Sequence, residues 1–418
     1  MALLFLCLIF GTGRTQKIEA AVQNVPESLE EESRLDTVGT DQETERAAVR
    51  EKKGQQEKEA GDTEKNQAAA AQDELLAELD FDAIQQEVDS LLSSQQFSFA
   101  GTVRSLLQDG DPFRTFRAGN AVLSCAKTAF LAQKGLMKEL FLLVLAGAVL
   151  GSFSSLFEGK QVRDASFYMV YLLALALILK NFQSSGANLK AVITSLVAFM
   201  RILTPPYYRP AAAAGGASSA VMFYQMLLLV ILAVEKLLLA LVLPMIHIYL
   251  LIALVNDLSG EEILSHMTEL LETCVNGLLK SSLGVLVGMQ MIRNLIAPAL
   301  DSLRQMALWR TAGMIPGIGN AVNAVTELVA GSAVLIRNCF GVTAMLVLLA
   351  AGMVPAVQLL VSGLSFRLLA AAAQPVSDKR IAGCLAAAGK GYAMLLRLLL
   401  TVEVLFLLTI AILAGTFS

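Results

Sequence analysis

The sequence predicts an all-α polytopic membrane protein with about seven transmembrane helices (six to eight), preceded by an acidic, partly disordered extramembrane segment. Three observations carry this. The chain has 418 residues, of which 55% are hydrophobic and 16% charged, whereas soluble domains carry about 25% charged residues. The charges are segregated: residues 27–104 hold 20 acidic and 8 basic side chains, a net of −12, and the remainder holds 24 basic and 16 acidic, a net of +8. From about residue 140 the chain is a succession of uncharged runs. A single soluble core, a disulfide scaffold and a nucleic-acid binder with a basic face are all excluded by this pattern.

Residues 2–10 form a nine-residue apolar run broken by Gly11 and Gly13. That length suits the apolar region of a signal peptide and is too short to span a bilayer. Residues 1–22 are therefore read as a signal peptide, although Arg14 and Lys17 follow the run instead of preceding it. A start upstream of Met1 stays open.

Residues 23–96 form an acidic low-complexity segment. Within it, 23–72 holds no aromatic residue and cannot bury enough apolar area to offset its chain entropy. The pattern then changes. Phe81, Ile84, Val88 and Leu91 recur at spacings of 3, 4 and 3, one apolar stripe on a helix. Phe99, Val103 and Leu106 form a second. With Asp82, Glu87 and Asp89 on the polar side, docking on the membrane domain or on another protein fits better than lying on anionic lipid, which prefers Lys and Arg.

The third region, 97–418, is the polytopic domain. Its uncharged runs are 140–157, 165–179, 191–200, 210–234, 237–256, 281–292 and 338–366, and 391–417 is interrupted only by Arg397 and Glu403. A spanning helix needs about 20 apolar residues. The runs are continuous and Leu/Ala-rich with no alternation, which favours helices over a barrel. The 338–366 run, with Pro355 inside, reads as one tilted helix or a re-entrant pair. Gly147/Gly151 and Gly284/Gly288 are GxxxG pairs that let helix backbones approach. Residues 367–397 carry five basic side chains and one acid, which places that stretch in the cytoplasm by the positive-inside rule.

No catalytic constellation emerges. Gly317-Ile318-Gly319 lacks the third glycine and the preceding strand of a dinucleotide loop, and a Pro316-Gly317 turn explains it better. Gly389-Lys390 lacks the spacing and the hydroxyl of a phosphate loop. HExxH and GxSxG are absent, and five scattered cysteines with two histidines make no zinc site. No cofactor or metal is expected. His247 reads as a hydrogen-bonding group between helices. The sharper candidates are intramembrane charges: Glu235, Lys236, Arg293, Arg337 and Glu403. Each costs about 2.5–3.5 kcal/mol at the bilayer centre on the insertion scale, so it should be paired, wet or interfacial. Glu235-Lys236 fits a tight turn between two spans.

The order of motifs in the second half is distinctive. Met314-Ile315-Pro316-Gly317-Ile318-Gly319 is followed by Thr326-Glu327, Gly331-Ser332, Leu335-Ile336-Arg337-Asn338, Gly341, the apolar run with Pro355, and Gln374-Pro375-Val376-Ser377-Asp378-Lys379-Arg380-Ile381. Upstream lie Val255-Asn256-Asp257-Leu258-Ser259 and Gly288-Met289-Gln290. This order resembles the stage III sporulation protein AE family of endospore formers, over about 97–418 and most strongly from 281, while the acidic 23–72 insert departs from it. The resemblance implies a non-enzymatic, multi-pass cell-membrane protein in the mother-cell membrane around the forespore. It would be a subunit of the secretion-like channel that joins the two compartments and sustains late forespore gene expression and spore maturation. Its partners would be the lipid bilayer, the other stage III A proteins (an ATPase and ring-forming subunits among them) and the forespore protein Q, with no nucleic acid. Pro316, Gly317 and Gly319 in one loop, and Pro375, Asp378 and Arg380 in another, would be contact surfaces. The alternative is a self-contained transporter or export permease, with helices broken at Pro244 and Pro355. A membrane enzyme finds no support in the motifs.

Overall fold

The computed structural model describes residues 81–92, 97–109, 118–154, 160–213, 218–259, 264–312 and 319–414. The expected signal peptide, the 23–72 segment, Pro316 and Gly317 lie outside the described residues. Those described are helical apart from short turns and include no strand. In chain order the helices are α1 (Phe81–Leu91), α2 (Phe99–Asp109), α3 (Ala118–Ser154), α4 (Lys160–Ala213), α5 (Ser218–Leu237), α6 (Leu243–Ser259), α7 (Ser265–Ala312), α8 (Gly319–Ala373) and α9 (Lys379–Ala414).

The centre is an antiparallel hairpin of α8 and α9, the most extensively packed pair among the described elements. A short turn joins them: the amides of Val376 and Ser377 donate to the Ala373 carbonyl, and the Asp378 carboxylate accepts from the Arg380 amide at 3.0 Å. Asp378 thus caps α9, giving an otherwise orphaned donor a partner. Around the hairpin, α3 and α4 cover α8, α4 and α6 cover α9, and α7 lies outermost against α6 and α9. One contiguous apolar core runs through all of these and includes α1 and α2.

The two amphipathic stripes dock inward. Ile84, Val88, Phe99 and Val103 are fully buried. Phe99 meets Phe340 of α8 edge-on at 4.9 Å between ring centres, and Phe81 lies 6.4 Å from each. Ser98 caps α2 by accepting from the Gly101 amide, and Gln85 of α1 bonds the Phe97 carbonyl and the Phe99 amide. The α1–α2 corner is therefore held by its own polar contacts as well as by the aromatic triplet.

Five described helical stretches are long and apolar enough to cross a membrane: Phe167–Leu203, Leu228–Ser259, Ser265–Met289, Val334–Ala373 and Lys379–Ala411. The membrane class is as expected, and the count of about seven proves approximate because apolar runs and helices do not correspond one to one. Runs 165–179 and 191–200 lie on the single helix α4. Runs 210–234 and 237–256 meet within one helical segment, so Glu235-Lys236 is not a turn. A π-helical turn, Leu238–Val242, joins α5 to α6 there, with the Leu243 amide reaching back to the Leu238 carbonyl. It immediately precedes Pro244, whose missing donor and ring would otherwise disrupt a regular α-turn. Pro355 likewise lies inside an unbroken α8, so 338–366 is one helix and not a re-entrant pair.

Large apolar side chains also face outward, Met169 at 77% exposure, Leu142 at 65% and Met291 at 64% among them. In water such a surface would drive aggregation; against lipid tails it costs nothing. At about 1.5 Å per residue, the 54 residues of α4 and the 55 of α8 extend roughly 80 Å, far beyond a hydrocarbon core of about 30 Å. Both helices therefore project out of the bilayer.

Candidate functional site: a polar seam along the last helix

Polar side chains of α4, α6 and α7 meet those of α9, the most enclosed of the five spans. In the middle, Tyr392 reaches α4. Asn181 donates to its hydroxyl at 2.7 Å, and the Ser185 hydroxyl lies 3.2 Å away. Ser185 directs its own proton to the Asn181 carbonyl, so Tyr392 donates to Ser185. Asn181 and Ser185 are one helical turn apart and face the same way. The Tyr392 ring stacks on Phe366 of α8 and meets Phe182 of α4 edge-on, which ties three helices to one side chain.

Missing side chains make this approach possible. A Cβ on Gly391 would stand 3.0 Å from the Phe182 ring, and one on Gly389 would stand 2.8 Å from the Arg367 side chain. The His247 ring of α6 meets Phe182 in an edge-to-face contact and turns its Cε1–Nε2 edge to Gly186. Among the described residues, His247 makes no hydrogen bond to another helix. Its Nδ1 lies 2.8 Å from the Leu243 carbonyl of its own helix, and because a carbonyl only accepts, Nδ1 carries the proton.

Eleven residues beyond Tyr392, three helical turns along the same face, lies Glu403. It is 7% exposed, and its carboxylate rests against Gly352 of α8, where any added Cβ would come within 2.5 Å. Among the described residues it makes no ion pair. Toward the other end, the Tyr171 hydroxyl donates to the Leu254 carbonyl at 2.5 Å and touches the Cys384 thiol. The Asp257 carboxylate packs on Gly383, and Arg380 lies over the Phe167 ring at 5.5 Å. On the flank facing α7, Lys390 pairs with Glu272 at 2.5 Å, and Arg397 donates to Asn276 at 3.1 Å. Lys390 and Arg397 are seven apart and Glu272 and Asn276 four apart, so two matched stripes join α7 to α9.

The candidates from sequence distribute unevenly over this arrangement. Glu403 lies in the seam. Arg380 and Asp378 sit at its α8–α9 end, with Pro375 exposed in the turn. Arg337 is buried on α8 near Phe340 and does not reach for an interface. Glu235 and Lys236 lie elsewhere, on α5. Gly319 opens α8, and the Arg293 side chain lies outside the described residues. Lys390 and Arg397 belong to α9 and not to a cytoplasmic loop, which weakens the charge count used for orientation. Of the two GxxxG pairs, a Cβ on Gly147 would stand 3.0 Å from Val170 of α4, while one on Gly284 or Gly288 would meet no described neighbour within 4 Å.

Sequence reasoning missed Tyr171, Asn181, Ser185 and Tyr392. Polar residues four apart at 181 and 185, between two apolar runs, were the available signal for the second and third. Nothing in this arrangement aligns a nucleophile with a base, and no described group of His, Cys, Asp and Glu could hold a metal. What it can do is fix the positions of α4, α6, α8 and α9 in a medium that supplies no hydrophobic force between helices.

Fold and interior together define a polytopic helical membrane protein. The family model described as stage III sporulation protein AE matches residues 97–416, and the chain belongs to that family. It is 22% identical over 291 residues to the stage III sporulation protein AE of Bacillus subtilis (strain 168), an overlap of 69% of this chain and 73% of that one. No solved structure matches.

Proposed function

We propose that the chain is a non-enzymatic integral membrane subunit of the sporulation channel linking mother cell and forespore, acting in the mother-cell membrane that surrounds the forespore. Its partners would be the other stage III A proteins, including the ATPase and the ring-forming subunits, and the forespore protein Q. Membership of the family over 97–416 is the observation that carries this reading. The interior supports it, since the polar groups of Tyr171, Asn181, Ser185, Tyr392, Lys390 and Arg397 join one helix to another. Two helices long enough to project from the bilayer supply surfaces for neighbouring subunits. In the permease alternative, helices broken at Pro244 and Pro355 would frame a substrate site. The unbroken α8 and the closed contact of Glu403 on Gly352 give that reading less support.

Deleting the gene in its endospore-forming host tests the proposal. The expected outcome is arrest after engulfment and loss of heat-resistant spores, restored by the gene in trans. A normal yield of heat-resistant spores contradicts it. Solute flux by the purified protein alone in liposomes would turn the argument toward the permease.

A further inference from the structure

An open groove lies away from the seam, between α4 and the α5–π-turn segment. Its volume is about 590 Å³, and its walls are Lys190 and Arg201 of α4, Leu229, Leu232, Ala233, Glu235 and Lys236 of α5, and Leu239 and Ala240 of the π-turn. Lys190 and Arg201 are eleven apart, so both project from one face of α4. All three cations are exposed, and Leu229, 67% exposed, is among the most outward-facing large apolar residues of the protein. Three cations against one carboxylate leave a net charge of +2, which repels cations and attracts a phosphate. The aliphatic residues between the charges provide a surface that water does not favour. Basic pockets between membrane helices are suited to acidic lipid head groups, each nearby cation adding about 1 kcal/mol in attraction to anionic lipid.

We propose that this groove holds one anionic phospholipid whose head group carries hydroxyl donors, of the phosphatidylglycerol class. Lys190, Arg201 and Lys236 line the groove and supply the positive charge that attracts the phosphate. Leu229, Leu232 and Leu239 take the upper part of an acyl chain. Glu235 is the specificity element: a carboxylate accepts from head-group hydroxyls and disfavours a bare phosphomonoester. The π-turn positions Leu239 and Ala240 on the groove wall, which gives the irregular helix segment before Pro244 a second role. This inference requires only that the chain spans the membrane. It stands whether or not the channel assignment does.

The test uses the full chain in a zwitterionic detergent, with native mass spectrometry counting retained lipid on titration with phosphatidylglycerol, phosphatidylcholine or phosphatidic acid. The wild type should retain one phosphatidylglycerol that neither phosphatidylcholine nor millimolar inorganic phosphate displaces. Joint substitution of Lys190, Arg201 and Lys236 by Gln should weaken retention by at least about tenfold, from about fivefold per cation. Arg201→Lys should keep it, which separates loss of charge from loss of fold. Glu235→Gln should retain lipid and accept phosphatidic acid as well as phosphatidylglycerol. Equal retention of phosphatidylglycerol and phosphatidylcholine by the wild type would overturn the proposal. So would undiminished retention by the triple variant, or displacement by free phosphate.

Discussion

Gly352 and Glu403 show how a single residue sets the central hairpin. The carboxylate occupies the space that any larger residue at 352 would fill. Because the obstructing atoms belong to a buried side chain on a packed helix, Gly352→Ala should destabilise the protein by about 1–3 kcal/mol, the usual range for overpacking. Adding Glu403→Ala should recover most of that loss, because the carboxylate is the obstruction, and thermal unfolding in detergent would show the coupling. If the double variant unfolds no later than Gly352→Ala alone, the contact is not what positions the pair. Tyr392→Phe keeps the ring stack but removes the hydroxyl shared with Asn181 and Ser185. Its expected cost is about 0.5–1.5 kcal/mol, and it should vanish in an Asn181→Ala, Ser185→Ala background. None of these contacts is local in sequence, since Asn181 and Tyr392 lie 211 positions apart. Polar type at i, i+4 announces a polar face; it does not announce which helix will meet it.

At the scale of elements, the amphipathic pair α1 and α2 was the most readable part. Spacing alone predicted both helices and which face would be buried, because a stripe at 3 and 4 must face something. Phe99→Ala should cost about 3–5 kcal/mol of docking, as it opens the aromatic triplet with Phe81 and Phe340. Limited proteolysis should then cut within 81–109 while the α3–α9 bundle stays intact; cleavage no faster than in the wild type would mean that the triplet does not hold the corner. The spans were less readable for a definite physical reason. Charges were taken as span boundaries, yet Lys180 and Lys190 lie within α4, and Glu235-Lys236 lies within the helical path from α5 to α6. Long flexible side chains let a helix continue past a charge by carrying it to a groove or an interface. A prolyl residue is equally poor punctuation when a π-turn before Pro244 absorbs its effect on the backbone.

For the whole molecule, composition and charge segregation settled the helical membrane class, and the order of motifs settled the family. Neither contained the arrangement in which α9 gathers α4, α6, α7 and α8 through Tyr392, Lys390, Arg397 and Glu403, because partner choice between helices depends on contacts far apart in the chain. The bundle is fixed by its last helix, and its proposed action is through association with other proteins. Purification of the tagged chain from membranes of sporulating cells, with identification of what stays bound, tests that most directly. The expected result is recovery with the sporulation ATPase and ring-forming subunits, and a weaker complex when Tyr392 and Glu403 are both replaced by Ala. Recovery of the intact chain alone, from cells that contain those subunits, would contradict it.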